Sequence, residues 1–104
     1  MTHPHYQLYI DGAFCDGATG AMALSENPAN GQPWASFACT APADIDRAIA
    51  AARRVLDTPE WRDMTQTARG KLLFKLADLI EAHAGELGRL ETIESGKLLA
   101  ETSN

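Results

Sequence analysis

The sequence is poor in cysteine and in basic charge, and it has no long apolar run. Its two cysteines, Cys15 and Cys39, have neither a Cys-x-x-Cys partner nor a neighbouring histidine, which excludes the ligand spacing of a structural zinc site. Two plain thiols are the expected state, with a single disulfide in a secreted domain as the alternative. No stretch approaches the roughly 20 apolar residues of a membrane-spanning helix. The opening Met1-Thr2-His3-Pro4-His5 holds no Lys or Arg and leads into no apolar run, so no signal peptide is expected and the expected location is cytoplasmic. Nine basic residues against fourteen acidic ones give a net charge of −5, with no block of like charge and no base before Arg47. Neither a nucleic acid nor a membrane is an expected partner.

What is present is the composition of an ordinary soluble domain: 104 residues, 45% apolar and 22% charged. Residues 7 to 39 read as strands joined by turns. Leu8-Tyr9-Ile10 runs into Asp11-Gly12, a dipeptide suited to the positive φ angles of a tight hairpin turn, and Ala13-Phe14-Cys15 resumes the strand. A second hairpin is expected from Ala21–Glu26 and Pro33–Cys39 around the turn-rich Asn27-Pro28-Ala29-Asn30-Gly31. The two-residue period puts Ala35, Phe37 and Cys39 on one face, so Cys39 is expected to be buried as a small apolar residue.

From Thr40 the period changes to about 3.6. Pro42 suits a first helical turn, Asp44 and Asp46 suit the positive end of the helix dipole, and Arg53 and Arg54 the negative end. Ile45, Ile49, Ala52 and Leu56 form a face expected to be buried, and the helix should stop before Thr58-Pro59. Thr65 is an expected N-cap for a second long helix carrying the stripe Leu72, Leu76, Leu79 and Ile80. Gly85 should interrupt it, a shorter helix with Leu87, Leu90 and Ile93 should end at Gly96, and Leu98 should open a further helical stretch. These pieces offer several apolar faces but no contiguous Val/Ile/Leu strand on which all could pack. A self-contained domain of this size buries roughly two thirds of its unfolded surface. This chain is expected to fall short alone.

Chemical motifs are scarce. Gly12, Gly17, Gly20 and Gly31 do not form G-x-G-x-x-G, and no G-x-x-x-x-G-K-[ST] is present. His3 and His5 read as a flexible tail, and a metal site there would need ligands the sequence does not place. His83 sits near a helix end, where the dipole favours a cation. Trp34 and Trp61 lie beside loop signals and are expected to anchor loops on apolar surface, although an aromatic at a loop also suits a partner. Asp78, Glu81, Glu86, Arg89 and Glu91 are spaced as solvated helix faces.

In order along the chain, Leu8-Tyr9-Ile10-Asp11-Gly12, Asn27-Pro28-Ala29-Asn30-Gly31, Asp44 through Arg53, Trp61-Arg62-Asp63-Met64-Thr65, Arg69-Gly70-Lys71-Leu72-Leu73, Leu76 through Glu81 and Leu90 through Lys97 resemble the start of NAD(P)-dependent aldehyde dehydrogenases. The resemblance covers about residues 8 to 101. It implies an α/β family fold, Rossmann-like, of which this chain is the amino-terminal portion: hairpins, then three to four α-helices, without the central parallel sheet. It divides the chain into strands and hairpins over 1–39 and a helical segment over 40–104 that packs on the nucleotide-binding domain, one partial domain in all.

The resemblance further implies a full-length enzyme that oxidises an aldehyde to a carboxylic acid with NAD or NADP, using a cysteine thiolate, a general-base glutamate and an oxyanion-binding asparagine. All three belong to motifs beyond residue 104. Neither Cys15 nor Cys39 matches the nucleophile, so no residue here is assigned to catalysis or to the cofactor. Some family members hold a monovalent cation, which maps the candidate metal residues for K+ or Na+ to Ser25, Glu26 and Glu94, against the simpler alternative of solvated glutamates. The expected partners are the remainder of the enzyme chain and, at full length, further copies in a homo-oligomer. The rival class is a non-catalytic helical interaction or dimerisation module.

Overall fold

Asp11 and Gly12 adopt φ angles of 54° and 78°, and this pair of left-handed residues turns strand into strand with the twist a two-residue hairpin requires. The computed structural model describes residues 3–103. The hairpin joins β2 (Leu8–Ile10) to β3 (Ala13–Cys15), with Leu8 opposite Cys15, Tyr9 opposite Phe14 and Ile10 opposite Ala13. The Tyr9 and Phe14 rings meet edge to face at 5.0 Å. A second sheet has the order β1 (His5–Tyr6), β5 (Gln32–Ala38), β4 (Met22–Asn27), with β4 and β5 joined through the Asn-Pro turn. Five helices follow: α1 (Pro42–Leu56), α2 (Pro59–Arg62), α3 (Gln66–Ala82), α4 (Ala84–Ser95) and α5 (Leu99–Thr102).

The helical count exceeds the expected three to four because α2 and α5 are single turns of four residues each. Thr65 caps α3 as expected, its hydroxyl accepting from Ala68 N–H at 3.1 Å. Gly96 ends α4 in the left-handed region at φ 77°. The break between α3 and α4 falls at His83, not at Gly85, which is a helical residue of α4. Here the chain turns on a bridge-like φ of −107° that any residue can adopt.

The chain divides into two compact units that cut across the change from strand to helix at 39/40: residues 1–26 with 33–63, and residues 27–32 with 64–104. In the first, His5 is part of a strand rather than a flexible tail. It pairs in parallel with Ser36, and Tyr6 with Phe37. Tyr6 also meets Trp34 at 6.0 Å, while the Trp34 indole N–H donates to Ser25 Oγ at 3.0 Å. Trp34 thus ties β1, β5 and β4 together.

The buried apolar residues of the described chain are Ala35, Ala38 and Ala51. Cys39, expected to be buried, is half-buried, and Phe37 is 42% exposed. β5 ends at Ala38, so strand alternation no longer governs Cys39. The buried face of α1 is likewise displaced by one residue. Asp44 and Ala51 are buried, with Ala48 half-buried between them, whereas Ile45, Ile49 and Leu56 stay 48%, 62% and 47% exposed. The helix leans on its small residues, and the isoleucine stripe faces solvent.

In the second unit the turn is built by side chains. Asn27 Oδ1 accepts from Ala29 N–H and Asn30 Oδ1 from Gln32 N–H, each at 2.9 Å. Gly88 is buried because α5 crosses it. A Cβ there would stand 2.7 Å from the Thr102 carbonyl oxygen. Thr92 and Thr102 hydroxyls bond at 2.9 Å beside this crossing. No residue of α3 is buried, and Leu72, Leu76, Leu79 and Ile80 are 48%, 52%, 51% and 52% exposed.

Gly17 makes the tightest approach in the first unit, where an added Cβ would lie 2.0 Å from the Cys39 carbonyl oxygen. Gly17→Ala is expected to open this turn and accelerate amide exchange at Ala18 and Ala41. Gly85→Ala, with nothing within 4 Å, is expected to stabilise α4 by about 0.5–1 kcal/mol. Hydrogen exchange followed residue by residue separates the two, and equal effects would contradict the close approach.

Candidate functional site

The strongest polar centre of the first unit is built on the start of α1. Ala41 precedes the helix and has no side-chain acceptor, so the free N–H groups of the first turn need a cap from elsewhere. Asp44 supplies it from inside the helix. Its carboxylate is 2% exposed and accepts from Ala41 N–H at 2.8 Å and from Ala18 N–H at 3.0 and 3.1 Å. Arg47 Nη2 stands 3.5 Å away on the same helix. The backbone N–H groups of Ala41 and Ala18, with a smaller contribution from Arg47, hold its carboxyl below the usual carboxylate range. Asp44 therefore ties the 17–20 turn to α1. Position alone had suggested only a favourable meeting with the helix dipole. The legible signal is an acidic residue three positions after a capping residue that cannot cap.

Two arginines two turns apart on α1 reach the hairpin. Arg54 Nη2 donates to Asp11 Oδ1 at 2.6 Å, and Arg47 Nη2 lies 3.3 Å from Cys15 Sγ. In the second unit Lys97 donates to Glu91 Oε1 at 2.8 Å, and that bond raises the lysine above its ordinary value. These are exposed pairs that orient side chains more than they stabilise the fold.

The three candidate cation residues are placed as follows. Ser25 and Glu26 lie on β4 in the first unit, and the Ser25 hydroxyl accepts the Trp34 N–H. Glu94 is an exposed residue of α4 in the second unit. Among the described residues, no group of three or more His, Cys, Asp or Glu side chains could hold a metal ion. His83 caps the junction of α3 and α4 with Nδ1 3.8 Å from Glu86, in keeping with a solvated helix end.

A dinucleotide does not fit what is present. The glycines with positive φ are Gly12, Gly20, Gly31 and Gly96. They lie in turns or close a helix, and none opens a helix toward a pyrophosphate, the geometry that phosphate binding needs. No described helix is long and apolar enough to cross a membrane.

Residues 14–104 match the model of the aldehyde dehydrogenase family. The chain belongs to the aldehyde dehydrogenase family. It is 44% identical over 99 residues to (Z)-2-((N-methylformamido)methylene)-5-hydroxybutyrolactone dehydrogenase of Acinetobacter baylyi, covering 95% of this chain and 20% of that protein. Its backbone superposes on an NAD-dependent aldehyde dehydrogenase from Sinorhizobium meliloti with a TM-score of 0.91 at 33% identity, covering 98% of this chain and 20% of the other. The betaine aldehyde dehydrogenase of Staphylococcus aureus, solved in complex with NAD+, gives 0.91 at 36% identity, covering 97% and 20%. The chain thus spans about a fifth of the length of these relatives, and its small mixed sheets followed by helices match the amino-terminal region of the aldehyde dehydrogenase fold.

The carboxylate of Asp44 sets an acid limit on the first unit. Its native pKa is lowered, so its contribution to stability is complete above the unfolded value, about 3.9, and disappears as pH falls through the native one. Asp44→Asn is expected to speed amide exchange at Ala18 and Ala41 at neutral pH and to flatten the acid dependence of that exchange. Unchanged protection in the variant would contradict the capping role.

Proposed function

We propose that this chain is the amino-terminal structural portion of an NAD(P)-dependent aldehyde dehydrogenase, which as a complete protein oxidises an aldehyde to a carboxylic acid. The observation that carries this reading is the exposed stripe of α3 in a chain one fifth the length of its relatives. Full burial of a Leu or Ile side chain contributes about 1.5–3 kcal/mol, and each residue of the stripe leaves roughly half of that unrealised. A surface of this kind suits an element that leans on further structure. The hairpins and helices would frame the nucleotide-binding domain, while the nucleophile, the general base and the NAD(P) contacts would lie in the remaining four fifths of the enzyme. Full-length copies would assemble as a homo-oligomer in the cytoplasm.

The chain alone, supplied with aldehyde and NAD or NADP, is expected to give no reduced nicotinamide and to melt without a sharp cooperative transition. Co-expression with the Staphylococcus aureus betaine aldehyde dehydrogenase lacking its matching amino-terminal segment is expected to yield a soluble complex that regains aldehyde-dependent NAD+ reduction. Turnover by the 104-residue chain itself, or a sharp melt with no recovery on co-expression, would overturn the proposal.

A further inference from the structure

One polar cluster, separate from the residues above, brings together a hydroxyl, an imidazole and a carboxylate. The parallel pairing of β1 with β5 sets His5 opposite Ser36, and Ser36 N–H donates to the Pro4 carbonyl at 3.0 Å. His5 Nδ1 is 2.8 Å from Ser36 Oγ, and His5 Nε2 is 2.8 Å from Asp16 Oδ1. Three segments distant in sequence thus converge on one ring.

The charge of Asp16 fixes the roles of the two nitrogens. Its carboxyl is held below the ordinary range, chiefly by the bond from His5, with Gln7 a second donor. It is therefore ionised at neutral pH and can only accept. Nε2 must then carry the hydrogen, and in the neutral ring Nδ1 is left with its lone pair, to which the Ser36 hydroxyl donates. A serine donating to an imidazole whose other N–H is held by a carboxylate is a nucleophile with an oriented base. The His5 and Asp16 side chains are 30% and 52% exposed and Ser36 is half-buried, so the cluster borders water.

We propose that Ser36 is an acyl-accepting nucleophile toward activated esters, with His5 as its general base and Asp16 as a positioning residue that holds the tautomer. In the step, Ser36 Oγ forms a bond to the ester carbonyl carbon while its proton passes to His5 Nδ1. The carbon–oxygen bond to the aryl group breaks, the aryloxide leaves with the electron pair, and the imidazolium returns its proton to solvent. Water meets the charge on the carbonyl oxygen. This limits the site to donors whose leaving group departs without a proton, such as aryl esters. The proposal stands independently of the family's own chemistry.

The test incubates the soluble complex of this chain with the Staphylococcus aureus betaine aldehyde dehydrogenase lacking its matching amino-terminal segment, its formation first confirmed by co-purification, with para-nitrophenyl acetate at neutral pH and follows acetylation of the peptide carrying Ser36 by mass spectrometry. Lysine acetylation in the same digest measures non-specific reaction. Ser36 is expected to be acetylated faster than every other serine, and His5→Gln is expected to slow this about 100-fold. Because His5→Gln also removes a bond that holds β1, Asp16→Asn is the second variant. An asparagine amide can donate to Nε2 and drive the hydrogen onto Nδ1, leaving the cluster formed but the base lost. Asp16→Asn should therefore slow acetylation without changing exchange of the Ser36 amide, and Asp16→Glu should restore part of the rate. Absence of acetyl on Ser36, or an unchanged rate in His5→Gln or Asp16→Asn, overturns the proposal.

Discussion

Backbone can approach backbone only where side chains are small, and this constraint shapes both units. What the first unit buries is Ala35, Ala38, Ala51, Gly17 and the carboxylate of Asp44. The second has its closest contact at Gly88, under the carbonyl of Thr102. Dispersion and area terms grow with the surface removed from water, so alanines and glycines contribute little of either. Hydrogen bonds take a correspondingly larger share, with Asp44 alone joining the 17–20 turn to the start of α1. The long side chains that would normally dominate a core, such as Leu73, Phe74 and Ile49, lie at the surface, 68%, 76% and 62% exposed.

That inversion explains which parts of the fold the sequence made legible. Local signals were sufficient wherever a structure is decided by its own residues: the Asp11-Gly12 turn, the Thr65 cap, the Gly96 stop and the end of α1 before Thr58-Pro59. Periodicity marked the helices correctly but misplaced the buried face of α1 by one residue, because it assumes that the largest apolar side chains face the interior. Here Asp44, Ala48 and Ala51 do so, and Ile45 and Ile49 stay at the surface. The pairing of His5 with Ser36 spans 31 positions. It carries no local signature, which is why the first histidines read as a tail.

The candidate site shows the same division. Family membership was legible in the order of short segments along the chain, each common alone. The polar geometry was not, since the value of Asp44 depends on Ala18 coming to meet it, and the orientation of the His5 ring depends on Asp16. Ser25 illustrates the point: its hydroxyl accepts from Trp34, a contact that only the pairing of β4 with β5 creates. These groups orient turns and helix ends.

The two sheets have a consequence for the behaviour of the protein in concentrated solution. β4 is one of the two outer strands of the three-stranded sheet, and β2–β3 is a ribbon of only two strands. Such margins present unpaired peptide groups that can template the addition of another extended chain. Met22-Ala23-Leu24-Ser25 carries no charge to deter this, and Glu26 is the sole ionised guard on that margin. An edge with one carboxylate over six residues is a margin on which a further extended strand could add, by backbone hydrogen bonding alone.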